Sequence, residues 1–485
     1  MGRLKKHISE CAASQWALAG IFLLIPLFVT SALSSGFDYD ISDIDKPIIP
    51  VVALMMASGA IYLLVVLRFK VPVFSKKWLV WVIVVGLLAR FSMFTSTPIL
   101  EDDQYRYLWD GGVLANGFNP YQYSPQDALD FKASHVPDAL HQMAKEAAPI
   151  PQRINYPWLR TIYPPVTEFA FALAHIFKPW SLAVWRVILL AMDLVTFYLL
   201  FIILGRLGHS LMGLVIYWWN PLLIKEIYNS GHMDVIIFPF VLGALLFAIQ
   251  RRHILASAGL GVAVGVKFWP ALLLPIVLRP LLSKPKRLVP AILIFLCLSI
   301  AAFLPFLLSG LKSGSGFTAY GKHWEMNDAL YMLLLWLTQF VMKIFSVGAG
   351  YDQLATRALV ACLLLVWTLW LVKRDTDDPA EINARFLLVI TALYLLSPTQ
   401  FPWYALWILP FLAICPRVSL LLLTPLLSLY YLRFYFSARG MVHIHDNGVV
   451  WIEFVPVWGL LIWEWYRERR NSSATKTRRH NDGAV

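Results

Sequence analysis

Apolar segments of about 20 residues recur along the whole chain, and they constrain its fold more than any other feature. They fall at about 15–33, 48–67, 78–98, 181–204, 209–228, 234–250, 255–278, 288–309, 354–372, 384–397, 403–415, 418–436 and 449–466. A helix that crosses a bilayer needs roughly 20 apolar residues. The chain is 59% hydrophobic and only 14% charged, whereas soluble domains carry about 25% charged residues. The sequence therefore predicts an all-α polytopic membrane protein with about 12–14 membrane helices.

The positions of the basic residues predict the topology. With the N-terminus inside, more than half of the 41 lysines and arginines fall in cytoplasmic loops and the tail, as the positive-inside rule requires. This bias holds only if 255–278 is a hairpin of two half-helices, because a single span would place the loop RPLLSKPKR outside. The first span is expected to be a retained signal anchor, with a cleaved signal peptide as the alternative.

This topology divides the chain into four parts. They are three membrane helices at 1–98, a long external cap loop at 99–180, the remaining helices at 181–466 with an external segment at 310–353, and a basic cytoplasmic tail at 467–485. Two short apolar segments, 166–177 and 329–346, are expected to be helices at the outer face. The net charge of +12 is explained by the basic cytoplasmic loops, so we expect no nucleic acid partner. The basic tail is expected to contact anionic membrane lipids.

Three consecutive acids, Glu101, Asp102 and Asp103, follow directly on a predicted span. Adjacent carboxylates raise one another's pKa, and a carboxylate tuned in this way can deprotonate a sugar hydroxyl. Arg106 is a candidate cation for the aspartates. The alternative is a solvated loop start or the acidic first turn of a helix.

Aromatic residues surround this acidic cluster in the sequence. Within about twenty residues come Tyr105, Tyr107, Trp109, Phe118, Tyr121 and Tyr123, together with Asp110. Carboxylates combined with aromatic rings are typical of sugar-binding sites. An interfacial aromatic belt is the alternative interpretation.

Ionisable residues also occur inside apolar segments, where they are costly and usually functional or paired. Lys225 and Glu226 precede His232 and Asp234 in NPLLIKEIYNSGHMD. The first two are expected either to pair or to snorkel, and the last two either to line a sugar site or to form a turn. Lys267, at the tip of the proposed hairpin, needs an anion, and a lipid phosphate suits that depth; snorkelling to headgroups is the alternative.

Other functional chemistries find no support in the sequence. It contains no HExxH, Walker A, GxSxG or Cys/His metal pattern, and its four cysteines suggest no disulfide framework. We therefore expect no cofactor, with a divalent metal on Asp102 and Asp103 as an alternative. Lys225, Glu226, Arg186 and Asp193 could instead mark a transport path. A membrane transporter or lipid-linked-sugar flippase is therefore one alternative to an enzyme. A non-catalytic subunit of an envelope polysaccharide assembly system is another.

Four segments resemble the bacterial polyprenol-phosphate-mannose-dependent mannosyltransferases of the GT-C superfamily. They are EDDQYRYLWDGGVLANGFNPYQY at 101–123, NPLLIKEIYNSGHMD at 220–234, GVKFWPALLLP at 265–275 and SPTQFPWYALWILP at 397–410, and they occur in the expected order. The resemblance implies a GT-C-like fold in the bacterial inner membrane, with its active site facing the periplasm or outside. It also implies transfer of a hexose, mannose above all, from a polyprenyl-phosphate sugar donor to an external glycan, glycolipid or other acceptor.

The resemblance also implies roles for individual residues. Asp102 and Asp103 match the acidic pair that acts as base or orients the acceptor, and Glu101 is a departure that makes the assignment ambiguous. The expected substrate-binding residues are Tyr105, Arg106, Trp109, Asp110, His232, Asp234, Lys267, His323, Trp403, Tyr404 and Arg433.

Overall fold

The computed structural model describes residues 2–71, 75–310, 314–346 and 350–482, and the regular secondary structure of these residues is helical. The first half contains α1 Gly2–Leu33, α2 Ile48–Arg68, α3 Lys76–Phe94, α4 Asp103–Ala115, α5 Pro125–Leu129, α6 Asp138–Glu146, α7 Pro165–Phe177, α8 Leu182–Leu207, α9 Met212–Trp218, α10 Pro221–Leu223, α11 Ile237–Ile249 and α12 His253–Val264. The second half contains α13 Leu274–Leu278, α14 Pro285–Leu308, α15 Gly316–His323, α16 Ala329–Ile344, α17 Asp352–Leu371, α18 Pro379–Leu396, α19 Pro402–Ala405, α20 Leu409–Ile414, α21 Val418–Leu426, α22 Leu432–Ser437, α23 Val442–Ile444 and α24 Val450–Asp482.

Nine helical segments of the described chain are long and apolar enough to cross a membrane. They are Ser14–Phe37, Ile48–Arg68, Lys76–Phe94, Leu182–Leu207, Pro285–Leu308, Asp352–Leu371, Pro379–Leu396, Val418–Ser437 and Val442–Arg470. A bent pair, Met212–Asn229 with Met233–Ile249, makes a tenth. The multi-pass helical class is thus confirmed, but the expected 12–14 spans exceed this count. The reason is that several apolar segments are too short or broken: 403–415, for example, consists of the short helices α19 and α20.

The bent pair breaks where the sequence contains SGHMD. A π-helical turn at Ile224–Asn229 ends the first arm, and the two arms meet at 108°. Gly231 has φ +79°, a left-handed conformation that glycine adopts without steric cost. Its carbonyl accepts a hydrogen bond from the indole of Trp185, 2.7 Å away. The break therefore presents His232 and Asp234 at the end of a membrane segment.

Buried polar side chains join the helices around this break. The Arg90 guanidinium donates to Asp193 at 2.8 Å and lies 3.4 Å from the centre of the Trp218 ring. The hydroxyls of Tyr217 and Tyr228 donate to the same carboxylate at 2.6 and 2.5 Å. Such a buried charge must be paired to be tolerated. Asp193 is therefore a structural link between α3, α8 and the broken span.

Arg186 fulfils a similar role with backbone partners. Its guanidinium donates to the carbonyls of Phe94, Ser96 and Asn229 at 2.6–2.9 Å. Residues 94–96 precede the acidic cluster, and Asn229 precedes the bend. Arg186 therefore fixes the two chain segments that carry the acids against each other.

The long loop at 99–180 folds into a compact helical cap. α4 packs closely on α7: a Cβ atom on Gly111 would lie 2.4 Å from the carbonyl oxygen of Phe171. A Cβ atom on Gly112 would lie 2.3 Å from the Trp180 ring. The cap has its own apolar core, which includes Trp109 and Leu140. The Gly-Gly pair of the sequence WDGG thus allows the close helix approach.

Residues 253–281 form the hairpin that the basic loops predict. α12 is one arm, and Trp269–Leu281 is the other. His253 and Leu281, at the two ends, line one small cavity, so the ends of the arms lie together. Lys267 lies at the opposite end, the tip, and we call this element the Lys267 hairpin. The segments 166–177 and 329–346 are helical, as expected.

Candidate active site

A cavity of about 480 Å³, which we call the main cavity, lies where the cap meets the membrane helices. All four sequence segments of interest contribute to its wall. Its lining includes Glu101, Asp102, Asp103, Arg106, Tyr107, Asn155, Tyr156, Tyr163, Met233, Asp234, Lys267, Phe268, Trp269, Phe317, Tyr320, Trp324, Trp403, Tyr404, Trp407, Tyr430 and Arg433. The fold therefore brings together acids, cations and aromatic rings that are up to about 330 positions apart in the sequence.

Asp103 begins α4 and faces the main cavity. Its carboxylate accepts a hydrogen bond from Tyr107 at 3.2 Å and lies 3.6 Å from Nδ1 of His232. Although protein surrounds it, 38% of its side-chain surface is accessible through the cavity. Burial raises the pKa of Asp103, while the Tyr107 hydroxyl and the positive charge of Lys267 oppose the rise.

Asp102 lies one residue earlier, just before the first turn of α4, and also lines the cavity. Burial and then the charge of Asp103 raise the pKa of Asp102 to about 7, although a hydrogen bond with Asn155 lowers it. A carboxylate with a pKa near neutrality is well matched to proton transfer at physiological pH.

Asp234 and Lys267 form an ion pair in the wall of the cavity. The Lys267 ammonium donates to Oδ1 of Asp234 at 2.6 Å, and the Trp407 indole donates to the same oxygen at 2.6 Å. The ammonium also lies 4.2 Å from the centre of the Tyr404 ring. The anion that Lys267 was expected to need is thus present within the protein, and one of the three N–H donors of Lys267 is committed to Asp234.

His232 is fully buried behind the cavity wall, among acidic side chains. Its ring stacks on the Trp403 ring with the centres 3.9 Å apart. Nε2 lies 3.5 Å from Glu226 and 3.9 Å from Glu101. His232 therefore contacts the Trp403 ring of the cavity and lies between the carboxylates of Glu226 and Glu101.

Lys225 and Glu226 pair with each other, as one of the two interpretations predicted. Their charged groups are 3.5 Å apart, and both are fully buried. Tyr431 bonds both partners, donating to Glu226 at 2.6 Å and contacting the Lys225 ammonium. Through these contacts, the first arm of the bent pair is hydrogen-bonded to Tyr431, which directly precedes α22.

Aromatic rings form one wall of the main cavity. Trp407 stacks on Tyr404 and on Trp269, with ring centres 4.5 and 5.4 Å apart. The Tyr320 hydroxyl donates to the Tyr404 hydroxyl at 3.0 Å. Rings held by stacking and hydrogen bonds offer a rigid apolar surface on which a sugar face can lie.

Other residues expected at the site have different surroundings. Trp109 packs in the cap core and stacks on Trp180, away from the cavity wall. Arg106 touches the cavity, but its guanidinium donates to the Leu159 carbonyl at 2.5 Å and lies 3.7 Å from buried Asp110. Arg106 therefore stabilises the cap and does not form an ion pair with Asp102 or Asp103.

Tyr105, Arg433 and His323 were also expected at the site. Tyr105 accepts a hydrogen bond from Arg153 at 3.2 Å and lies outside the cavity lining. Arg433 lines the cavity and pairs with Asp446 at 3.2 Å. The side chain of His323 lies outside the described residues.

Several lining residues were not predicted from the sequence. Asn155, Tyr163 and Tyr320 lie outside the four segments, and no local pattern in the sequence marks them. Trp407 lies within SPTQFPWYALWILP, and the indole N–H of a tryptophan in that segment could have been predicted to donate a hydrogen bond at the site. Among the described residues, no group of three or more His, Cys, Asp or Glu side chains is arranged to hold a metal ion.

A multi-pass helical membrane protein with an acidic, aromatic-walled cavity beneath a cap has the features of a membrane glycosyltransferase. Residues 42–282, about half of the chain, match the family described as alpha-(1->6)-mannopyranosyltransferase, N-terminal domain. The chain belongs to this mannosyltransferase family and is therefore a glycosyltransferase. This confirms the family resemblance and the enzyme class that the sequence predicts. Comparison with curated proteins and with solved structures gives no significant match.

Proposed function

We propose that the protein transfers mannose from a polyprenyl-phosphate mannose donor to an external glycan or glycolipid acceptor. The observation that carries this proposal is the main cavity, in which consecutive carboxylates face a lysine and an aromatic wall at the junction of cap and membrane helices. The GT-C resemblance supports the same donor class. We further propose a bacterial inner membrane location with the cavity on the periplasmic side, because the basic loops favour that orientation.

Asp102 is the proposed general base. An acceptor hydroxyl attacks the anomeric carbon of mannose, the bond from that carbon to the phosphate oxygen breaks, and the hydroxyl proton passes to the carboxylate. The leaving polyprenyl phosphate keeps the electron pair. The pKa of about 7 allows Asp102 to be ionised in much of the enzyme at neutral pH and still accept the proton. Asp103, held by Tyr107, orients the acceptor.

Lys267 is the proposed contact for the donor phosphate. Its ammonium has three N–H donors, and the bond to Asp234 uses one of them. Next to it, Phe268, Trp269 and Phe317 line the cavity with apolar surface. A phosphate at Lys267 with its lipid chain on these rings would place the mannose towards the carboxylates.

The decisive experiment supplies purified protein in lipid nanodiscs with radiolabelled polyprenyl-phosphate mannose and an extract of membrane lipids and glycans. We expect a labelled product that is absent with the double variant Asp102→Asn/Asp103→Asn. A parallel reaction with a nucleotide-diphosphate mannose tests the donor class. Label transfer from the nucleotide sugar alone would overturn the proposed donor, and equal transfer by the double variant would overturn the proposed catalytic carboxylates.

A further inference from the structure

A second cavity, which we call the basal cavity, lies at the base of the Lys267 hairpin. Its volume is about 250 Å³. Its lining consists of Arg251, Arg252, His253, Ile254, Leu255, Leu281 and Arg287. None of these residues lines the main cavity. The twelve residues of α12 separate the basal cavity from the hairpin tip by about 18 Å at the rise of an α-helix.

Positive charge at the basal cavity comes from the turn before α12 and from α14. Three of its seven lining residues are arginines, and none is acidic. The Arg251 guanidinium pairs with exposed Asp377 at 3.0 Å. In the part of the chain that the structure describes, no carboxylate lies within ion-pair distance of Arg252 or Arg287. These two guanidiniums are therefore available to an anion.

Two helix ends reinforce this charge. α12 begins at His253 and α14 begins at Pro285, and neither start has a side chain that caps its backbone N–H groups. The N-terminus of a helix carries partial positive charge and favours anions. Nδ1 of His253 is also buried without a hydrogen-bond partner. The cavity thus combines charged donors with an unsatisfied polar atom.

The same cavity has an apolar side. Ile254, Leu255 and Leu281 line it, and Ile254 and Leu255 remain 41% and 45% exposed. The neighbouring Leu282 is 59% exposed. A small soluble anion would gain nothing from these side chains, whereas a lipid would place its acyl chains on them. Basic pockets beside membrane helices on the cytoplasmic side are suited to anionic lipid headgroups.

We propose that the basal cavity binds the headgroup phosphate of an anionic phospholipid. Arg252 and Arg287 hold the phosphate, and the exposed leucine and isoleucine side chains contact the acyl chains. The site is separate from the donor position and does not depend on the proposed function. The bound lipid also fixes the end of the hairpin whose other end places Lys267 beside Asp234.

The test measures lipid binding to the purified full chain by native mass spectrometry. The probes are cardiolipin and phosphatidylglycerol, with phosphatidylcholine as the uncharged comparison and inorganic phosphate as the soluble anion. The variant Arg252→Gln/Arg287→Gln removes both free guanidiniums. The matched control, Lys77→Gln/Lys286→Gln, removes the same charge from two exposed lysines that do not line the cavity.

We expect the arginine variant to bind the anionic lipids at least tenfold more weakly, and the lysine control to bind them as the unaltered protein does. Because Arg252 is exposed, the single variant Arg252→Gln should fold, and it should weaken binding in the same direction. Unchanged binding by the arginine variants would overturn the proposal, as would an equal loss in the lysine control. Displacement of the lipid by millimolar inorganic phosphate would overturn the lipid assignment.

Discussion

The pH dependence of transfer should reveal which carboxylate is the base. If Asp102 with its pKa of about 7 must be ionised, about a tenth of the enzyme is competent at pH 6 and about nine tenths at pH 8. The value of kcat/KM should therefore rise roughly tenfold across that interval. Asp102→Asn keeps the shape of the side chain and removes the base, so it should lower transfer by about 10²–10⁴-fold.

Asp103→Asn is the informative companion because it changes the electrostatics of Asp102 without removing it. Burial is the largest cause of the raised pKa of Asp102, and the charge of Asp103 is the second. Once that negative charge is gone, the Asp102 carboxyl ionises more easily. The midpoint of the pH profile should therefore move to lower pH, while much of the activity at pH 8 remains.

Initial rates with radiolabelled donor below its KM, measured from about pH 5.5 to 8.5, give these profiles. Donor binding measured separately confirms that each variant is folded. An Asp102→Asn variant that keeps near-normal transfer would refute the role of Asp102 as the base. If instead Asp103→Asn is inactive and Asp102→Asn only shifts the midpoint of the pH profile, Asp103 is the base and Asp102 orients the acceptor.

Three further outcomes are expected. Lys267→Ala should raise the KM for donor by tenfold or more with little change in the KM for acceptor, while Lys267→Arg retains donor binding; equal effects on both substrates would remove the lysine from the donor site. Arg90→Leu leaves Asp193 charged and unpaired in the core and should destabilise the protein by about 3–5 kcal/mol, so an unchanged melting temperature would contradict the structural role of the pair. A cysteine at Ser134 should react with an impermeant reagent from outside and one at Ser283 should not; the reverse labelling would invert the topology.

The sequence predicted the helical class and several of the residues that line the main cavity, because both follow largely from local patterns. The acids after a span and the turn at SGHMD are visible in neighbouring residues, and the hairpin with Lys267 at its tip follows from the distribution of the basic loops. Pairings between distant helices cannot be predicted in this way. Asp193 was visible as a buried acid, but its partner Arg90 lies 103 positions away, and no periodicity connects them.

The same limit explains the remaining differences. Both Asp234 and Lys267 were expected at the site, yet their direct ion pair depends on how the bend and the hairpin tip meet in space. Asn155 and Tyr163 come from irregular parts of the cap, whose path hydropathy does not determine. The span count was too high because hydropathy measures apolar content and not the straight length of a helix.

The carboxylates of the main cavity outnumber its free cations, and this affects the end of each turnover. Asp234 neutralises Lys267, and Asp446 neutralises Arg433, whereas no lysine or arginine within the described residues pairs with the acids at 101–103. In the proposed reaction the donor phosphodiester carries one negative charge, but the released phosphate monoester carries about 1.5 to 2 at neutral pH. Asp102 carries the transferred proton when the sugar leaves, so the repulsion between the phosphate and the carboxylates grows once Asp102 loses this proton to solvent. Deprotonation of Asp102 therefore favours release of the phosphate monoester before the next donor binds, and product inhibition is expected to be weak.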